Sequence, residues 1–108
     1  MLELRYYLDG EGSSPFADWF EGLDATAFAK VTTGLERIAQ GNLGNTKSAG
    51  HGVLEYRIDF GPGYRVYFGR DGETLVILLS GGTKRRQQRD IEDAQARWQD
   101  YKRRKARV

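Results

Sequence analysis

Two arginines, Arg57 and Arg65, flank Gly61-Pro62-Gly63 within the alternating runs YRIDF and YRVYF. Threonine would suit a plain hairpin and lysine would suit a surface ion pair. A guanidinium instead presents a planar fork of N–H donors that matches two phosphate oxygens. Glu55 lies two residues before Arg57 and so shares its strand face by the period-two rule. A carboxylate there can exchange a proton beside a held phosphate. Tyr67, two residues after Arg65, adds an aromatic ring on which a base can stack. Lys47, in the preceding loop, is a candidate contact to a phosphate backbone. The competing structural account is cross-strand ion pairing, worth a few tenths of a kcal/mol at a surface. No metal-ligand spacing is present: Asp59 with Glu55 could approach a hard cation, but the adjacent arginines oppose it. His51, the only histidine, sits in Gly-His-Gly and reads as a surface residue.

The elements that must position these groups follow from periodicity. Residues 2–8 read as a strand. Ser14 caps a short helix with Pro15 at its first position, and Phe16, Trp19, Phe20 and Leu23 form one face. Asp24 caps a second helix carrying Phe28, Val31, Leu35 and Ile38, which Gly41 stops. Residues 41–52 read as a glycine-rich loop. Strands follow at 53–60, 64–69 and 74–80, and a terminal helix after Lys84 carries the stripe Ile91, Ala94, Trp98 and Tyr101. The expected fold is α+β in the order β-α-α-β-β-β-α, a small antiparallel sheet with its helices on one side and a basic C-terminal helix. A three-residue Gly-Pro-Gly loop would set Phe60 against Tyr64, Ile58 against Val66 and Tyr56 against Phe68 on the covered face. Asp59 would then face Arg65, and Arg57 would face Tyr67, on an uncovered face.

The chain has 108 residues, 39% apolar and 30% charged, which bounds it to one domain spanning 1–108. No run reaches the roughly 20 apolar residues of a membrane helix, and the N-terminus lacks a signal-peptide layout, so a cytoplasmic setting with no membrane partner is expected. The absence of cysteine excludes disulfides and thiol chemistry. Residues 1–83 hold 7 Lys/Arg against 11 Asp/Glu, whereas residues 84–108 hold 10 against 4. Such a basic C-terminal segment, ending in the KRRKAR cluster, suits a polyanion, with nucleic acid the first candidate.

The run from LERIAQGNLGNTKSAGHG through ILLSGGTKRRQQRDIEDA resembles toxins of the RelE/ParE superfamily. It is most similar to the HigB-like branch, the addiction-module killer or phage-derived Gp49-like proteins. The features that carry the resemblance are GxGVxExRI, GPGYRVYF, a hydrophobic strand ending in GG, and Lys-x-x-Gln-x-x-Asp-Ile opening the last helix. The resemblance implies a RelE-like fold and the toxin of a type II toxin–antitoxin module: a ribosome-dependent mRNA endonuclease with no cofactor. It also implies a cognate antitoxin with a helix-turn-helix fold, through which alone operator DNA would be bound. The ParE branch poisons DNA gyrase on the same fold, and a non-catalytic module that binds such a regulator is a further alternative.

Cleavage by the RNA 2′-hydroxyl requires a base, cations at the phosphate, and an acid for the leaving oxygen. By resemblance, Arg65 holds the scissile phosphate and Arg57 shares that work. Lys84 and Arg85, after the GG, match a further family cation, and Arg86 extends the cluster toward RNA. Several relatives place a histidine or tyrosine at this helix start, which here reads TKRRQQRDI. Glu55 is therefore the first candidate base and Tyr67 the second. Gln88 and Asp90 read as structural partners of the GG turn.

Overall fold

Ser14 and Asp24 open the first two helices by accepting hydrogen bonds from the backbone N–H groups of Ala17 and Ala27, at 3.0 and 2.9 Å. In the computed structural model, which describes residues 1–107, these helices are α1 (Pro15–Glu21) and α2 (Ala25–Ala39). They follow β1 (Glu3–Tyr6) and precede four strands: β2 (Thr46–Gly50), β3 (Val53–Ile58), β4 (Tyr64–Asp71) and β5 (Leu75–Thr83). A 3₁₀ turn over Lys84–Arg86 leads into α3 (Gln87–Ala106). The strand order is β1-β5-β4-β3-β2, with β1 parallel to β5 and the other pairs antiparallel. The molecule is thus α+β, compatible with a RelE-like fold. No helix of the described residues is long and apolar enough to cross a membrane.

Strand β2 lies in what the sequence suggests is loop. Its residues, TKSAG, have no apolar alternation; they form an edge strand through backbone pairing with β3. The link is a tight hairpin in which His51 and Gly52 have φ of 54° and 85°, so the lone histidine is a turn residue.

The β3–β4 register also departs from expectation. Ile58 pairs with Tyr64, Tyr56 with Val66 and Leu54 with Phe68, so five residues rather than three lie in the loop. The cause is a turn from Phe60 to Gly63, closed by Gly63 N–H donating to Phe60 O, with Phe60 N–H donating to Ile58 O. The shift is two residues, so every side chain keeps its face while every partner changes. Arg57 now faces Arg65, and Glu55 faces Tyr67. Asp59 pairs with Arg57, not Arg65, and Phe60 is exposed in the loop rather than part of the apolar face.

Both faces of the sheet are covered, which corrects the one-sided arrangement. α1 and α2 pack Phe16, Phe20, Val31 and Ile38 on Tyr56, Val66, Phe68 and Leu78. α3 lays Ala94 and Trp98 on Val53, Tyr67, Ile77 and Leu79 of the opposite face. The C-terminal basic residues hold this helix down. Arg104 donates to the carbonyls of Leu8 and Asp9 and to Asp100, and Lys105 pairs with Asp71. Part of the cationic cluster expected to meet RNA is therefore spent on internal contacts.

Candidate functional site

The face beneath α3 carries two polar rows running across the strands. One row is Lys47, Glu55, Tyr67 and Ser80, contributed by β2 to β5 in turn. The next is Arg57, Arg65 and Gly82. Glu55 is the centre of the arrangement. Its carboxylate is 1% exposed; Oε1 accepts from Gln87 Nε2 at 2.9 Å, and Oε2 lies 3.5 Å from Lys47 Nζ and 3.7 Å from Arg65 Nε.

Four side-chain atoms in these rows are buried without completing a hydrogen bond: Glu55 Oε2, Arg65 Nε, Tyr67 Oη and Ser80 Oγ. Each such group costs about 1–3 kcal/mol relative to a satisfied one. Folded proteins rarely tolerate several together. Arg65 is otherwise anchored by donating to Gly63 O at 3.1 Å.

Tyr67 is wholly buried, so it is neither an aromatic shelf nor an RNA contact; α3 occupies the space a base would need. Burial, then the facing Glu55 carboxylate, pushes its phenol far above the ordinary tyrosine range. That also removes Tyr67 as a base. Arg65 likewise does not stand on an open face: only 6% of its side chain reaches solvent.

Glu55 forms the floor of an opening at the side of the sheet, with its carboxylate closed to solvent. A cavity of about 220 Å³ is lined by Gly44, Asn45, Thr46, Lys47, Glu55 and Arg57, with Lys47 and Arg57 at its exposed rim. The expected residues Lys47, Glu55 and Arg57 thus meet in one opening, with Arg65 directly behind. Lys84, Arg85 and Arg86 are exposed on the 3₁₀ turn past β5. Lys84 is tied to the β3–β4 loop by its N–H donating to Gly63 O at 3.2 Å. Arg86 lines a separate cavity of about 170 Å³ with Trp19, Gly81, Gly82, Thr83 and Asp90.

Gln87 is the glutamine of the Lys-x-x-Gln-x-x-Asp-Ile motif, but its role on Glu55 is visible only in the structure, where the first position of α3 lets its side chain reach back over the sheet. Asp90 does meet the GG turn: its carboxylate fills the notch left by the absent side chain of Gly82. Burial raises its carboxyl above the usual range, against the lowering effect of Arg86. Among the described residues no group of three or more His, Asp or Glu side chains gathers as a metal-ligating cluster.

The family model described as "Phage derived protein Gp49-like (DUF891)" matches residues 18–99, which include every residue of both rows. The chain belongs to this Gp49-like family. The family is toxin-like and associated with toxin–antitoxin systems. An uncharacterized protein of Haemophilus influenzae is 44% identical over 80 residues, covering 73% of this chain and 81% of that protein. The Gp49-like match leaves out residues 1–17 and the segment from Asp100 onward, two stretches that Arg104 joins through the carbonyls of Leu8 and Asp9.

Proposed function

We propose that the chain is a HigB-like toxin of the RelE/ParE superfamily that cleaves translated mRNA. The observation that carries this reading is the cluster of unsatisfied buried polar atoms around Glu55, reached through an opening rimmed by Lys47 and Arg57. Buried polar atoms left without partners are rare in folded proteins, and a bound substrate is one way to complete them.

In this reading Arg57 receives the scissile phosphate at the rim, and Arg65 adds positive charge from behind. Once Lys47 leaves Glu55 for the RNA backbone, Glu55 Oε2 takes the proton of the ribose 2′-hydroxyl. O2′ then bonds to the adjacent phosphorus while the P–O5′ bond breaks, giving a 2′,3′-cyclic phosphate. Lys84 supplies the proton for the departing 5′-oxygen, and Lys47, Arg85 and Arg86 contact the flanking backbone. The guanidiniums stabilise the charge that builds on the phosphorane oxygens. The partners would be the ribosome and a helix-turn-helix antitoxin, the latter linking the toxin to operator DNA.

One observation favours a second reading. α3 closes over Tyr67, in the row that also holds Glu55, as suits a non-catalytic module that only binds its antitoxin. The nuclease and module readings separate in a cell-free translation reaction with mRNA 5′ ends mapped by primer extension. Cuts within translated codons, absent with Glu55→Gln, Arg57→Ala or no ribosomes, are expected. Intact mRNA and uninterrupted translation would sink the nuclease reading.

A further inference from the structure

The opening at Glu55 does not end there. Its lining residues Asn45 and Arg57 also line a second cavity, of about 270 Å³, between α2 and the end of β3. This second cavity carries Lys30 and Arg37 from α2, with Thr33, Asp59 and Phe60. The two together form one groove that leaves the site, passes the end of β2 and runs along α2.

Charge is concentrated in that groove. Residues 1–83 hold only seven Lys/Arg, and four of them, Lys30, Arg37, Lys47 and Arg57, line it. The rest of this segment is acidic. The groove's two carboxylates are both engaged: Asp59 with Arg57, and Glu55 with Lys47 and Arg65. Lys30 and Arg37 lie seven residues apart on one helix, about 10 Å at 1.5 Å per residue. That separation is too long for one phosphate to bridge and suits an extended polyanion. Thr33 and Asn45 between them offer neutral hydrogen-bonding groups. Gly34 sets the depth of the groove: its Cα hydrogens face Tyr56 and Ile58 so closely that α2 settles onto β3, leaving the cations on the rim. Phe60 is exposed at the far end, and Lys30 Nζ lies over its ring, 5.0 Å from the centre; a base stacking there takes the place of the ammonium and frees it for a phosphate.

We propose that this groove is the track for single-stranded RNA flanking the cleaved position, with Lys30 and Arg37 holding successive phosphates and Phe60 stacking a base. The inference takes its substrate class from the nuclease reading, but its binding residues lie outside the cavity where the chemistry is placed. RNA, rather than an acidic protein segment, is favoured by the pairing of spaced cations with an exposed aromatic ring.

The test uses the full chain and a labelled single-stranded 12-mer RNA, followed by fluorescence anisotropy across a salt series. Lys30→Glu/Arg37→Glu is expected to weaken binding at least tenfold at low salt. It should also flatten the log K against log salt slope by about 1.4, from two lost phosphate contacts. Phe60→Ala should weaken binding without changing the slope. Unchanged affinity and slope in the double variant overturn the proposal. So does a double variant that binds RNA normally but no longer binds the antitoxin, which would assign the groove to the protein partner. Weakened RNA binding in a chain that never cuts mRNA would sink the nuclease reading and leave the track standing. Cutting that persists with unchanged KM in the double variant would do the reverse.

Discussion

Arg57 and Arg65 stand directly opposite each other on β3 and β4, yet 54% of the first side chain reaches solvent and only 6% of the second. Two like charges placed in cross-strand register repel unless they are separated or neutralised. Here Arg57 turns outward to Asp59, and Arg65 turns inward to Glu55 and the carbonyl of Gly63. The two arginines should therefore fail differently. Arg57→Ala should leave unfolding free energy within about 0.5 kcal/mol of wild type, as an exposed pair predicts, while cleavage is lost. Arg65→Ala strands the buried Glu55 carboxylate and should cost about 3 kcal/mol. Urea denaturation beside primer extension distinguishes them; equal destabilisation by both would contradict this division.

Glu55→Gln separates chemistry from packing at the centre of the site. The amide keeps the shape and can still meet Gln87, while the buried negative charge disappears. The substitution also leaves the Arg65 guanidinium without its buried counter-charge, which should cost up to about 3 kcal/mol. Cleavage should fall by about 10²–10⁴ in the folded variant, the usual worth of a general base. A variant that cuts normally would remove Glu55 from that role.

Gly81 and Gly82 each stand where another element presses on β5. A methyl group at Gly81 would overlap the Trp19 ring, and one at Gly82 would overlap the Asp90 carboxylate. Gly82→Ala should therefore cost about 1–3 kcal/mol through overpacking. Asp90→Ala in the same chain should recover most of that loss, because it empties the notch. Gly81→Ala should not be rescued by Asp90→Ala. Denaturant midpoints for the four combinations at Gly82 and Asp90 form a double-mutant cycle, and a coupling near zero would show that Asp90 does not seat on Gly82.

The face of each strand residue was legible from period-two alternation, and the helix caps at Ser14 and Asp24 from residue type. The pairing partners were not. Gly61-Pro62-Gly63 fits turns of more than one length, and a two-residue shift leaves the hydrophobic pattern unchanged. β2 was invisible because it is held by backbone bonds to β3 rather than by its side chains. The cover over the second face did leave a trace: Val76, Ile77, Leu78 and Leu79 are continuously apolar, the pattern of a strand buried on both sides. Seen with Ile91, Ala94 and Trp98, that run places α3 over Tyr67. Within the site, Lys47, Glu55 and Arg57 could be grouped from sequence. The burial of Tyr67 could not, because it depends on where α3 lands.

The end of α3 is held by two carboxylates whose titration sets the pH range over which the helix stays docked. Asp71 accepts from Tyr101 Oη at 2.6 Å and pairs with Lys105. Asp100 accepts from Tyr7 Oη at 2.6 Å and from Arg104. Hydrogen bonding from Lys105 and Tyr101 lowers the Asp71 carboxyl, and that from Tyr7 and Arg104 lowers the Asp100 carboxyl. A lowered carboxylate contributes stability above its unfolded value, about 3.9. That contribution disappears as pH falls through the folded values. Tyr101 has the opposite sense: burial, then the bond to Asp71, push its phenol up to about 12. Its contribution is complete below the unfolded tyrosine value of about 10 and is lost as pH rises toward the folded one. Amide exchange along 99–106, corrected for intrinsic rate, should therefore accelerate below about pH 4 and again above about pH 10, relative to α2. Asp71→Asn should raise exchange at neutral pH and shrink the acid-side step. Protection in this segment that tracks α2 across the whole range, in wild type and variant alike, would show that the apolar seat of Trp98 holds the helix without help from the clamp.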